Sequence, residues 1–196
     1  MNKVKVAILI SGRGSNMAAL IAAAKDPAYP AQIVLVIANL ADAGGLAIAA
    51  AQGIDTAIIE HAPFGKDRLA HERMIDARLR QAGAQIVALA GYMRVLTPFL
   101  VEAWAGRMIN IHPSLLPALP GLHTHQRALK AGLTKHGCTV HLVTAGVDEG
   151  PILGQAEVDI LPGDDEASLS ARVLEQEHKL YARCLADLAK MIAATS

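Results

Sequence analysis

Apolar positions recur along this chain with two different periods. Short β-branched runs at 4–10, 33–38, 56–59 and 86–90 alternate with Ala- and Leu-rich stretches in which apolar residues return every three or four positions. That alternation predicts strands joined by helical crossovers. The runs 4–10 and 33–38 are apolar on both faces, as strands buried in a parallel sheet must be. Between them Met17, Leu20, Ile21 and Ala24 fall at i, i+3, i+4 and i+7, so a helix beginning near Asn16 lays one stripe on that sheet. A second short helix is expected at 46–52, stopped by Gly53. A third is expected at 66–82, with Ile75, Leu79 and Ala82 on one side and Gly83 at its end.

The second half is less regular. A strand at 108–111 must end near His112, because Pro113 cannot extend a ladder and restrains the residue before it. Three prolines and a glycine make 113–121 an irregular loop. Strands at 139–143 and 155–160 are separated by the turn-rich segment 145–151, which is short enough for an antiparallel pair. A long helix follows Asp164 and Asp165, one of which should cap it. The fold class expected is α/β: a single doubly wound, mostly parallel sheet with a Rossmann-like N-terminal half and an antiparallel element in the C-terminal half.

Composition narrows the functional classes. The 196 residues carry 18 Lys+Arg and 18 Asp+Glu, a formal net charge of zero with no basic cluster, which argues against a polyanion footprint. Aromatic residues make up only 3% of the chain, too few for a platform on which successive bases stack. A planar ligand would therefore be held by aliphatic side chains and backbone. Cys138 and Cys184 have no CxxC or finger spacing, so a reduced, cytoplasmic setting is expected rather than a disulfide framework or a zinc module. No stretch reaches the ~18–20 apolar residues of a membrane span, and 6–10 is too short for a signal-peptide core.

Four places could carry chemistry. Ser11-Gly12-Arg13-Gly14-Ser15-Asn16 joins the first strand to the first helix, where glycine-permitted turns and free helix N–H groups form an anion cradle suited to a phosphate monoester. It is not a dinucleotide fingerprint, since Met17 stands at the third glycine of Gly-x-Gly-x-x-Gly, and an ordinary glycine-rich turn would look the same. Asn110 and His112 sit two apart on one strand face, with Ile109 and Ile111 packing behind them. A carboxamide and an imidazole at a strand's carboxyl end could hold the oxyanion of a tetrahedral acyl centre, or simply be satisfied by loop backbone. Asp148, in the turn Asp148-Glu149-Gly150-Pro151, could face His112 and orient a proton-shuttling water, although such turns also occur for conformational reasons alone. Glu177 lies on the apolar stripe of the last helix, four residues from Val173 and from Tyr181, and needs either a partner or a place at the stripe's edge in water. Five of the eight histidines fall within thirty residues and include His123-x-His125, which keeps a metal-dependent hydrolase open as a rival, although no HExxH helix or acidic ligand set accompanies them.

Five segments, SGRGSN, LAGYMRVL, NIHPSLLP, PGLHTHQRAL and HGCTVHLVTAGVDEGPI, resemble in order and spacing the 10-formyltetrahydrofolate-dependent formyltransferases, and among them the phosphoribosylglycinamide formyltransferases of purine biosynthesis. The resemblance implies transfer of the formyl group of 10-formyltetrahydrofolate to the amine of glycinamide ribonucleotide, without a metal. It implies that Gly14, Ser15 and Asn16 hold the phosphate while Leu174, Glu175, Gln176 and Glu177 meet the ribose. Folate would lie along Met93, Arg94, Val95 and Leu96, its pterin edge read by Thr144, Ala145, Gly146, Val147 and Asp148, its glutamyl tail faced by Arg68. Asn110 and His112 would stabilise the oxyanion, and Asp148 would support His112 and move the proton. One formyltransferase domain over 1–196 is expected, with the half at about 1–100 binding the phosphate and ribonucleotide and the half at about 101–196 binding folate and carrying catalysis. A monomer or homodimer without nucleic-acid or membrane partners is expected. Arg13 and Cys138 depart from the pattern, the latter standing where a small hydroxyl is expected. A 10-formyltetrahydrofolate hydrolase is the nearest rival, but it resembles this chain plus an N-terminal regulatory domain, whereas the expected catalytic domain begins at Met1. A methionyl-tRNA formyltransferase would add a basic C-terminal domain. A non-catalytic folate- or nucleotide-binding protein would keep the cradle without needing Asn110, His112 and Asp148 aligned.

Overall fold

Residues 3–195 are described by a computed structural model; Met1, where the catalytic domain was expected to begin, lies outside them. Seven strands form one sheet in the order β3-β2-β1-β4-β5-β6-β7. The strands β1 (Val4–Ile10), β2 (Ala31–Ala38), β3 (Asp55–Ile58), β4 (Ile86–Leu89) and β5 (Met108–His112) run parallel. β6 (Lys135–Leu142) pairs antiparallel with β5, and β7 (Ile152–Asp159) pairs antiparallel with β6. The α/β expectation with an antiparallel C-terminal element therefore holds.

Alternation along the strands feeds two cores. Ile8, Ile10, Ile109, Ile111 and Val140 face α1 (Ser15–Ala24), α2 (Gly45–Ala51) and the 30-residue α6 (Glu166–Thr195). Leu9, Leu35, Val87 and Met108 face α3 (Arg68–Gln81) and α4 (Pro98–Ala103) on the other side. The predicted stripe of α1 is buried at Met17, Leu20 and Ile21. The helix expected at 66–82 begins only after Asp67, whose carboxylate accepts from Ala70 N at 2.9 Å, and Gly83 follows its end at φ 67. Asp165 caps α6 by accepting from Ser168 N at 2.8 Å.

Three local expectations needed correction. The strand expected at 139–143 starts four residues earlier, because Lys135 and His136 pair with Asp159 and Val158 across the ladder. The strand expected at 155–160 starts at Ile152 for the same reason. Short helices at 98–103 and at Thr124–Lys130, the latter labelled α5, are absent from the periodicity reading, since one or two turns are too brief to show a stripe.

Candidate active site

The carboxyl ends of β1, β4 and β5 deliver three loops to the same edge of the sheet, the place where parallel sheets present ligand sites. The loop after β1 is the expected cradle. Gly14 adopts φ 73, so its backbone turns into α1 in the region that favours glycine, and a Cβ there would come within 3.0 Å of the Gly45 backbone. Gly45 N donates to Gly12 O at 3.0 Å, which ties the cradle to the start of α2. Arg13 and Ser15 are exposed, and Asn16 is half-buried.

Asn16 supplies the partner that the buried Glu177 required. Its Nδ2 donates to Glu177 Oε2 at 2.7 Å across 161 residues of sequence. Burial pushes the Glu177 carboxyl above the usual carboxylate range, and the Asn16 bond only partly opposes this. Asn16 Oδ1 is buried without a hydrogen-bond partner. The neighbours on α6 are graded in access, with Glu175 exposed and Leu174 and Gln176 half-buried.

The second cluster lies around β5. A cavity of about 570 Å³ is bounded by the loop carrying Met93 to Leu96, by Asn110 and His112, and by the segment carrying Thr144 to Asp148. Its volume falls in the range of small-molecule sites. Met93 and Val95 are 65% and 58% exposed, a lining of aliphatic side chains poised for an apolar ligand face. Arg68 is exposed beside this loop and donates from Nη1 to Val95 O at 3.2 Å.

The segment between β6 and β7 folds back toward the end of β5, and Asp148 reaches both histidines there. Its Oδ2 lies 3.3 Å from His112 Nδ1 and accepts from Gly121 N at 2.9 Å, while Oδ1 lies 3.7 Å from His141 Nε2. Asp148 holds a left-handed φ of 57, a conformation that the short acidic side chain tolerates better than most. Burial pushes its carboxyl up, but the His141 imidazole, the Gly121 N–H and the His112 ring together outweigh this and hold it below the usual range. His112 is buried, and its Nε2 lies 3.0 Å from Leu119 O, so each ring nitrogen faces an oxygen acceptor.

His141, one of the five clustered histidines, stands behind Asn110 and Asp148 as a supporting residue. It sits opposite Asn110 in the β5–β6 register, with Asn110 Nδ2 3.2 Å from its Nε2 and its Nδ1 2.9 Å from Leu142 O. The signal available was the same i, i+2 rule that pairs Asn110 with His112, since Thr139 and His141 share a strand face. The rival histidine reading finds no support in the geometry. His125 Nδ1 lies 3.1 Å from His136 Nε2, His123 sits at the start of α5, and among the described residues no group of three or more His, Cys, Asp or Glu side chains could hold a metal ion. Cys138 packs into the core, where burial raises its thiol to about 12.

Comparison with known proteins fits this arrangement. A model of the formyl transferase family matches residues 4–185, a span that contains both clusters. The chain belongs to the formyl transferase family. Phosphoribosylglycinamide formyltransferase of Escherichia coli K12 is 43% identical over 178 residues, covering 91% of this chain and 84% of that protein. The human trifunctional purine biosynthetic protein adenosine-3 is 45% identical over 183 residues, and the Drosophila pseudoobscura pseudoobscura protein of that name is 50% identical over 187. This formyl transferase chain spans only 18% and 14% of those two longer proteins. The crystal structure of phosphoribosylglycinamide formyltransferase from Brucella melitensis superposes with a TM-score of 0.92 at 53% identity, with 96% of each chain covered. Among the described residues no helix is long and apolar enough to cross a membrane.

Proposed function

We propose that the protein transfers the formyl group of 10-formyltetrahydrofolate to the amine of 5′-phosphoribosylglycinamide, a step of de novo purine biosynthesis. The observation that carries this reading is the convergence of Asn110, His112 and Asp148 on one cavity whose other walls are the aliphatic 93–96 loop and the 144–148 segment. The identities to named phosphoribosylglycinamide formyltransferases support the same substrates. The cavity fits a flat, mostly apolar folate with a polar edge, which Thr144, Ala145, Gly146, Val147 and Asp148 can meet with backbone groups. Arg68, which donates to Val95 O, would face the anionic glutamyl tail outside the cavity.

In this scheme Gly14, Ser15 and Asn16 hold the nucleotide phosphate at the start of α1. Glu177, with Leu174, Glu175 and Gln176 around it, takes the ribose through its acceptor oxygens. Its contact with Asn16 joins the phosphate and ribose groups into one nucleotide site. The amine attacks the formyl carbon as the carbonyl π electrons move onto oxygen. Asn110 and His112 donate to that oxygen, the His112 donor turning from Leu119 O to the substrate. Asp148, kept ionised by its neighbours, takes the proton of the attacking nitrogen through a water and returns it by the same water to N10, which leaves as the oxyanion electron pair re-forms the carbonyl and the C–N10 bond breaks. No metal enters this scheme. One domain over 1–196 does this work, with the cradle in the first half and Asn110, His112 and Asp148 in the second. The folate loop and Glu177 cross that division. A cytoplasmic monomer or homodimer acting on small molecules, without nucleic-acid or membrane partners, completes the reading.

One assay separates it from its rivals. With 10-formyltetrahydrofolate, tetrahydrofolate should be released only when glycinamide ribonucleotide is also present, and release should persist undiminished in chelator. Release without the amine means a hydrolase; no release under either condition means a binding protein.

A further inference from the structure

The nucleotide cradle and the folate loop are joined through one buried residue, Ser11. Ser11, the first residue of the cradle segment, uses its backbone N–H to donate to Gly91 O at 3.1 Å. Its Oγ accepts from Met93 N at 2.8 Å and donates to Asn39 Oδ1 at 2.6 Å. A serine hydroxyl has one proton to give, and here it is committed to Asn39. Asn39 is itself fixed from the far side: His61 Nδ1 lies 3.0 Å from its backbone oxygen and 3.2 Å from its Nδ2. Ser11 is 8% exposed and Asn39 2%, so water does not readily replace either bond. Tyr92 and Leu96 also pack the folate loop onto the core, and its polar anchors are few. Between the end of β4 and the start of α4 it forms no regular structure. Those polar anchors are Ser11, the guanidinium of Arg68 on Val95 O, and the Glu72 carboxylate, which accepts from both the backbone N–H and the hydroxyl of Thr97. Of these three, only Ser11 belongs to the segment that also forms the phosphate cradle.

We propose that Ser11 is a positioning residue that couples the two ligand sites, so that occupation of the phosphate cradle pre-orders the folate loop and each ligand raises the affinity for the other. The inference rests on the assignment of the two loops to nucleotide and folate given above. When an anion draws the N–H groups of Gly14 to Asn16 toward itself, it restrains the backbone that begins at Ser11. The hydroxyl passes that restraint to Met93 N, the first loop amide it holds. The conformational entropy that folate must remove from the loop is then partly removed beforehand, and linkage makes the effect reciprocal.

The test uses ligands that cannot react or touch each other through the transferred group: ribose 5-phosphate for the cradle and tetrahydrofolate for the cavity. In titration calorimetry of the whole protein, saturating ribose 5-phosphate should tighten tetrahydrofolate binding about fivefold or more, the lower end of measured couplings. Ser11→Ala should reduce that factor to about one, and Ser11→Thr, which keeps the hydroxyl, should restore it. Hydrogen exchange on the unaltered protein gives a second readout that does not depend on a variant folding: ribose 5-phosphate alone should slow exchange of the Met93 amide by a similar factor. If both ligands bind but the factor is the same with and without the hydroxyl, or Met93 exchange does not change, the coupling is refuted while the functional reading stands. Failure of either ligand to bind the unaltered protein overturns both.

Discussion

His112 is the side chain through which binding and catalysis can be told apart. It is buried at the end of β5, with Asp148 Oδ2 3.3 Å from one ring nitrogen and Leu119 O 3.0 Å from the other. The nucleotide contacts proposed at Gly14 to Asn16 and at Glu177 lie on other elements and do not pass through it. His112→Ala should therefore lower kcat by about 10²–10³, the loss typical of removing one oxyanion donor, while the dissociation constant for glycinamide ribonucleotide changes by no more than about threefold. Steady-state kinetics with calorimetric titration of the same variant reads both quantities. Loss of nucleotide binding with turnover intact would remove His112 from the oxyanion site.

At the scale of elements, α6 sets a buried carboxyl into an apolar stripe at a cost in stability. Its stripe buries Leu169, Val173, Leu180, Tyr181 and Leu188, and it carries Glu177 into the same surface, where the carboxylate accepts from Asn16. A carboxyl that burial raises in the folded state binds its proton more tightly folded than unfolded. Stability therefore falls as pH rises from the unfolded value through the folded one, and above that window the charge is a standing cost. Glu177→Gln keeps an oxygen to accept from Asn16 and removes the charge. It should raise Tm at pH 8 by about 2–4 °C, on the order of 1 kcal/mol for a chain of this size, and weaken nucleotide binding. Thermal unfolding of the two proteins at pH 8 decides it; a lower Tm for the variant would mean that the carboxylate is satisfied rather than strained. The stripe and the exception on it were both legible in the sequence, because 3.6-residue periodicity exposes a misplaced charge. Its partner was not, since nothing local connects Asn16 with a residue 161 positions away. Short elements were also illegible: α4 and α5 have six and seven residues, too few for a periodic signal.

At the scale of the whole molecule, the same distinction sorts what the chain declares from what only folding assembles. The parallel core follows from β-branched runs and crossover lengths, and with it the site's position at the carboxyl edge. The antiparallel half depends on register, a relation between strands rather than a property of either one, and register sets His141 opposite Asn110, while the packing of α5 brings His125 against His136. That second contact has a thermodynamic consequence. Burial pushes His136 down to about 4 from its ordinary 6.5, aided by the nearby His125 and His112 rings and opposed by a hydrogen bond with the Pro113 backbone. Burial also lowers His125, with Glu166 opposing the shift. A histidine held neutral in the folded state takes up its proton on unfolding, so its contribution is present above pH 6.5 and is lost as pH falls toward 4. Asp148 works in the same sense at lower pH, because its depressed carboxyl stabilises the fold until protons reach it. Denaturant unfolding should therefore show stability dropping between pH 6.5 and 4 by about 1–2 kcal/mol from His136, less than the full shift implies because solvent near the pair screens it. His136→Gln should flatten that part of the profile and leave the steeper loss below pH 4, where the carboxylates titrate. An unchanged slope in the variant would place the acid sensitivity elsewhere in the molecule.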